Sequence, residues 1–304
     1  MKSSNIKVAA VVVFYHPNLQ AINSLKKLSK MLPVVVVDNT EEGEPLEWVE
    51  SESVNIIRNM CNLGVAKAIN QGVEYWQSQG MNWCFLFDQD SVIDDGFIEE
   101  MITPITSKRA PADNVAAYVP SYYAKNLESY GSIIQVEKFG ITRRHPKYAR
   151  RNELWASYAI NSGSLINLNS FNTIGPYLEG LFIDFCDIEW GLRANAKGFQ
   201  IITNPEATLI QELGEQPISF MGKKIVNHSP LRHYYYIRNA IHMLRLKHVP
   251  LVWKTVECAK MPVRFALYST MTSNRIQHLK AMTLGLIHGL KNKQGKYCES
   301  TRNR

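Results

Sequence analysis

The chain has 304 residues, 45% of them hydrophobic, which is enough to bury a full core without disulfide or metal staples. Its net charge of +7 is unevenly spread: residues 221–304 hold 16 Lys plus Arg against two acids, Glu257 and Glu299, leaving 18 basic and 25 acidic residues in the first 220. Five scattered cysteines with no Cys-x-x-Cys spacing exclude a zinc ribbon or a disulfide framework, and fit a reducing cytoplasm.

The first elements read as an alternating α/β chain. Val8 to Tyr15 is a short β-branched run of the kind covered on both faces in a parallel sheet, and no export-type cleavage site follows it. Leu19, Ile22, Leu25, Leu28 and Met31 recur at helical spacing before a second apolar run, Val34 to Val37. A third strand is expected at Val54 to Arg58, a helix at Val65 to Gln77 after the turn at Gly64, and a fourth strand at Cys84 to Phe87. This pattern predicts a doubly wound, mostly parallel sheet whose ligands bind beyond the carboxyl ends of the strands.

The fourth strand ends in Phe87-Asp88-Gln89-Asp90-Ser91. Side chains alternate along a strand, so Asp88 and Asp90 share a side, where paired carboxylates invite Mg2+ or Mn2+ completed by substrate phosphates. A plain strand-ending turn is the alternative. Asp38 and Asn39 close the second strand and are candidates for the base or ribose of a nucleotide, with an ordinary turn explaining them nearly as well. Asn62, Gly64 and Lys67 resemble a helix-entry turn where backbone can approach a ligand. The glycine spacings of dinucleotide and ATP sites are absent, as are metalloprotease and acyl-nucleophile patterns.

From Tyr118 to about Tyr158 no clean period appears, and strands and loops of an acceptor-side insert are expected. Asp184-Phe185-Cys186-Asp187-Ile188-Glu189-Trp190 then leads into a helix stopped by Gly198. Asp187 is the candidate general base, its pKa raised by neighbouring acids. The alternative makes it an N-cap, with Glu189 paired to Arg193. Beyond His228 a basic, aromatic helical region opens, in which Arg232, Tyr235 and Arg238 are candidates to clamp a leaving diphosphate or, alternatively, pack an amphipathic helix. No stretch reaches the roughly 18 uncharged apolar residues of a membrane span.

Taken in order, Val11-Val12-Val13-Phe14-Tyr15-His16-Pro17, Val36-Val37-Asp38-Asn39, Asn62-Leu63-Gly64, Phe87-Asp88-Gln89-Asp90-Ser91 and the Phe182 to Trp190 segment resemble the family 2 glycosyltransferases of GT-A fold. The likeness is strongest to bacterial rhamnosyltransferases of O-antigen and related surface polysaccharides, and spans Val8 to Asn239. It implies a GT-A catalytic domain over residues 1–220, with a nucleotide-sugar half to about 115 and an acceptor half from about 116. A basic helical region, 221–304, would follow.

The resemblance further implies Tyr15, Pro17 and Asp38 around the nucleotide, Asp88 and Asp90 on a divalent cation, and Asp187 as base of an inverting transfer. Gln211 stands where relatives often carry a histidine ligand, and amide oxygen is the weaker donor. The implied donor is dTDP-L-rhamnose and the implied acceptor a saccharide on undecaprenyl diphosphate, at the cytoplasmic face of the bacterial inner membrane. There the basic tail would meet an anionic membrane surface rather than nucleic acid, or pair helices in a homodimer. A nucleotidylyltransferase and a catalytically silent scaffold remain the rivals.

Overall fold

The computed structural model describes residues 6–41, 53–107, 114–212, 214–220 and 222–298. Strand β1 (Val8–Phe14) is followed by α1 (Leu19–Leu28), β2 (Val34–Asp38), β3 (Val54–Arg58), α2 (Val65–Ser78), β4 (Trp83–Asp88) and α3 (Phe97–Thr106). These match the expected elements closely, except that α1 stops at Leu28 and leaves Met31 in the following turn. The second half adds β5 (Val115–Ala124), β6 (Ser129–Tyr130), β7 (Ile133–Val136), β8 (Ile141–Arg144), β9 (Trp155–Ala156) and β10 (Ser164–Asn167). After α4 (Leu168–Ile174) and α5 (Cys186–Ala196) come β11 (Gln200–Gln211), the hairpin β12 (Ile218–Phe220) and β13 (Lys223–Ile225), then α6 (Pro230–Arg245), α7 (Leu251–Met271) and α8 (Arg275–Leu290).

The main sheet runs β3-β2-β1-β4-β10-β5-β11-β9, with β6 added beside β5. β1, β2, β3 and β4 pair in parallel, as do β5 and β11, while β10 is antiparallel to both β4 and β5. Parallel strands covered on both faces need uninterrupted apolar sequence, and Val34, Val35, Val36 and Val37 are all fully buried. Two cores result, one on each face of the sheet. The register pairs Phe14 with Asp38 and Val13 with Asp88, so the carboxyl ends of β1, β2 and β4 form one rim.

Helix α6 lies against α8 at very short range because α8 carries Gly285 and Gly289. A Cβ on Gly285 would stand 2.5 Å from the Tyr234 carbonyl oxygen, and one on Gly289 3.0 Å from that of Arg238. All five cysteines are free, and among the described residues no helix is long and apolar enough to cross a membrane.

Candidate active site

A cleft of about 720 Å³ opens above the rim, lined by Tyr15, Asp88, Asp90, Asp187, Gln211 and Arg232 among others. Residues from β1, β4, α5, β11 and α6, as far apart in sequence as Val13 and Tyr236, thus converge on one space.

Asp88 ends β4 and opens its carboxylate to the cleft, yet protein surrounds the strand end. That enclosure, reinforced by the neighbouring charge of Asp90, pushes its pKa up to about 6. The β4 end is tied to β1 by the Tyr15 amide, which donates to Gln89 Oε1 at 2.8 Å. Among the described residues no three His, Cys, Asp or Glu side chains form a closed metal cage. The donor set nevertheless fits a hard divalent cation, because such ions need only one or two carboxylates when phosphates supply the remaining oxygens, and Asp88 with Asp90 repel each other until a cation joins them.

Asp187 stands in the first turn of α5, half-buried, with Oδ1 accepting the Ile188 amide at 2.8 Å. Its pKa is also pushed up to about 6. Burial is the largest cause; the Ile188 N–H opposes it and Asp184 adds to it. Crowding by acids is therefore secondary to desolvation. The N-cap of α5 is Phe185, so Asp187 is not a cap, while Glu189 does what the alternative expected of it: fully buried, it holds Arg193 Nε at 2.8 Å and His248 Nε2 at 2.8 Å.

The loop that delivers Asp187 is strained. Phe182, Asp184 and Phe185 all have positive φ, at 67°, 60° and 65°, which side-chain-bearing residues adopt only when their surroundings impose it. The imposing group is Asn239 of α6, fully buried, whose Nδ2 donates to the carbonyls of Leu181 (2.9 Å), Ile183 (2.7 Å) and Asp184 (3.0 Å). Asp184 in turn receives Arg232 Nη2 at 2.6 Å and Nε at 3.4 Å. His228, one residue before the Ser229 N-cap of α6, also lines the cleft, and burial followed by the nearby Arg232 charge lowers its pKa.

Several expected ligand residues serve the scaffold instead. Arg238 is 1% exposed and donates to the carbonyls of Gly180, Leu181 and Gly295. Tyr235, also buried, stacks on Phe182 and accepts the Tyr297 amide at 2.7 Å. Neither faces the cleft, so neither can clamp a diphosphate there. Gly64 does admit a close backbone approach, but to Phe182: a Cβ at Gly64 would lie 2.6 Å from the Phe182 oxygen, and the Val65 amide donates to that oxygen at 2.8 Å. Asn62 Oδ1 accepts the Gly64 amide, and Asn39 Nδ2 donates to the Gly64 carbonyl while its Oδ1 accepts from Asn59. Lys67 pairs with Glu179 at 3.1 Å, away from the cleft. Asp38 holds the Thr40 amide at 3.0 Å at the end of β2, two strands from β4, and Pro17 sits partly buried just past β1, both outside the lining.

A profile of glycosyl transferase family 2 matches residues 18–175. A dTDP-rhamnosyl transferase, RfbF of Shigella flexneri, is 30% identical over 290 residues, covering 94% of this chain and 96% of that protein. The chain belongs to glycosyl transferase family 2. Two solved structures share its fold: GalNAc-T7 with UDP, GalNAc and Mn2+ (TM-score 0.55, 14% identity, 95% of this chain), and S. aureus TarS residues 1–349 (TM-score 0.52, 15% identity, 93% of this chain). The chain spans 57% of the GalNAc-T7 chain and 81% of the TarS one. This glycosyltransferase therefore has the GT-A fold, as the resemblance implies.

Nothing in local sequence marks Asn239 as part of the site. The Arg238-Asn239 pair lies on a helix whose other residues read as packing, and only the meeting of α6 with the 181–185 loop gives it a task. Asp184 was visible as part of an acidic cluster, but its partner Arg232 lies 48 residues on.

Proposed function

We propose that this glycosyltransferase moves L-rhamnose from dTDP-L-rhamnose to a hydroxyl of a lipid-linked saccharide during surface polysaccharide synthesis, inverting the anomeric carbon. The observation that carries the reading is that Asp187, a half-buried carboxylate with a pKa near neutrality, shares one cleft with the Asp88 and Asp90 strand end. The near-full-length likeness to a dTDP-rhamnosyl transferase supports the donor.

In this scheme Asp88 and Asp90, with Gln211 at the cleft wall, would hold a divalent cation, as Mn2+ and UDP in the GalNAc-T7 structure support. Bound there, a cation neutralises charge developing on the departing diphosphate. Tyr15 lines the cleft, and the nucleotide would extend from it along the rim toward Pro17 and Asp38, which stand outside the lining. Asp187 accepts the proton of the acceptor hydroxyl as that oxygen bonds to the anomeric carbon. The bond from that carbon to the β-phosphate oxygen breaks on the opposite side, and its electron pair leaves with dTDP. Arg232, fixed by Asp184, offers its remaining N–H groups to the diphosphate.

Helices α7 and α8 support attachment to an anionic membrane surface. Of the 21 residues of α7 only Trp253 and Glu257 are buried, and Leu251 is 75% exposed, with Val263 and Met271 also open. Ile276, Leu279 and Leu290 of α8 are exposed as well, among Lys and Arg.

Donor identity is tested by thermal melting with Mg2+ or Mn2+ against dTDP-L-rhamnose, dTDP-glucose and UDP-galactose. The largest stabilisation is expected with dTDP-L-rhamnose. Stabilisation by UDP-galactose alone would remove rhamnose from the reading.

A further inference from the structure

Asp187 lines two cavities. Besides the large cleft, it forms part of the wall of a separate cavity of about 150 Å³ built from β5, the β6–β7 turn and the residues flanking β9. A space of that size admits one six-membered ring. Its walls are mainly apolar, from Pro120, Ile134, Tyr158 and their neighbours. One polar atom stands out among them: Ser121 Oγ, on a residue 4% exposed, has no hydrogen-bond partner. A buried hydroxyl left unpaired is costly, and a turn of the Ser121 side chain toward the cavity would let a ligand hydroxyl satisfy it.

The ring of Tyr122 borders this cavity and continues into a third of about 320 Å³, which shares Gly131, Ser132 and Ile134 with it and adds Arg143 at its far side. Gly131 lets the Tyr122 ring lie there, since a Cβ on it would fall 1.9 Å from the ring. Burial, and then the charge of Asp187, raise the Tyr122 pKa, so the phenol stays neutral beside the base. Arg143 is exposed and forms no ion pair among the described residues, whereas its neighbour Arg144 is held by Glu153 at 3.0 Å. The two cavities share the walls at Tyr122, Gly131, Ser132 and Ile134 and together form a groove, with Asp187 lining the first and the Arg143 guanidinium the second.

We propose that this groove receives the acceptor: the inner cavity takes one neutral sugar ring with an apolar face, hydrogen-bonded to Ser121, and Arg143 binds an anionic group attached to that ring. The proposal rests on the transfer reading above for the role of Asp187, but its own content is the chemistry of the acceptor. Sugars present one face of C–H groups that stack on aromatic and aliphatic walls, and guanidinium selects phosphate or carboxylate oxygens. A phosphate of a lipid diphosphate and the carboxylate of an acidic sugar would satisfy Arg143 equally.

The test uses the full chain and four soluble probes: octyl rhamnoside, octyl rhamnosyl diphosphate, an octyl rhamnosyl-glucuronide and octyl diphosphate without sugar. Binding is read by ligand-detected NMR, with dTDP binding followed separately. One or both of the anionic sugar probes are expected to bind about tenfold more tightly than octyl rhamnoside, and which of them does identifies the anion. Arg143→Ala should abolish that preference, and Ile134→Trp, which fills the inner cavity, should weaken all three sugar probes at least tenfold. Both variants should bind dTDP as the unaltered chain does, which also reports that they are folded. Equal binding of neutral and anionic sugars, a preference that survives Arg143→Ala, or sugar binding unaffected by Ile134→Trp would overturn the proposal. Failure of the unaltered chain to bind dTDP would instead strike the transfer reading, leaving the groove to be judged by Arg143 and Ile134.

Discussion

The Arg232 guanidinium forks onto the Asp184 carboxylate, with Nη2 to Oδ1 at 2.6 Å and Nε to Oδ2 at 3.4 Å. Asp184 is one of three residues with positive φ beside Asp187, so the pair couples a strained loop to the cleft wall. Arg232→Lys keeps the charge and loses the fork. Steady-state kinetics should show kcat/KM for the donor falling at least about tenfold, about 1.4 kcal/mol of transition-state stabilisation. An unchanged kcat/KM would mean the fork is dispensable.

The proposed role of Asp187 as base predicts a pH dependence. A base protonated below about pH 6 should give a rate that falls tenfold per pH unit in more acidic buffer, and Asp187→Asn should cost about 10²–10⁴-fold in kcat while leaving dTDP affinity nearly intact. The folded pKa of about 6 exceeds the ordinary carboxylate value of 3.8, so this group favours the folded state below about pH 4 and loses that contribution as pH rises through 6. Asp187→Asn should therefore melt higher than the unaltered chain at pH 7.5, by about 1 kcal/mol after allowance for partial solvent access, and no higher at pH 4. Equal melting of the two proteins at pH 7.5 would contradict the raised pKa.

Asp90→Ala removes one carboxylate of the pair at the end of β4. Donor affinity, titrated by calorimetry with and without chelator, should drop in the variant only when Mg2+ or Mn2+ is present. A donor affinity insensitive to chelator in both proteins would count against a cation at this rim.

Asn239→Ala removes the donor shared by three carbonyls. Arg238 still holds the Leu181 carbonyl, so those of Ile183 and Asp184 lose their partner; at about 1–3 kcal/mol for each buried group left unpaired, a loss of about 3 kcal/mol is expected by denaturant titration, with transfer activity lost beyond what partial unfolding explains. Asn239→Asp, which offers no N–H, should be no better. Full activity in either variant would show that the 181–185 loop keeps its shape unaided.

Attachment through α7 and α8 predicts co-sedimentation with vesicles containing anionic phosphatidylglycerol and not with neutral phosphatidylcholine, diminished by Leu251→Glu with Val263→Glu. Each basic residue near the surface adds about 1 kcal/mol. A concentration-dependent doubling of mass that the same substitutions abolish, with no vesicle binding, would favour the homodimer.

The first four strands and their helices were legible because each has a local signature. Val34 to Val37 cannot be anything but a covered strand, and Asp88 and Asp90 interrupt an apolar run where no core could hold them. The rest was hidden for physical reasons. Arg232, Tyr235 and Arg238 look alike on one helix, yet Tyr235 lies about 60° and Arg238 about 120° around the axis from Arg232, which sends the first into the cleft and the other two into the core. Gly64 announces a close approach without saying to what, and its partner, Phe182, lies 118 residues on. The segment from Tyr118 to about Tyr158 lacks a period because β6, β7, β8 and β9 are two to four residues long, too short to show alternation.

Because the Ile183 and Asp184 carbonyls beside Asp187 are held by a single amide on α6, the competence of a related chain cannot be judged from its acidic motifs alone. A homologue that keeps every aspartate but has lost the asparagine at the position of Asn239 would be expected to fold its sheet and turn over nothing, and such sequences are where silent descendants of these enzymes should be sought.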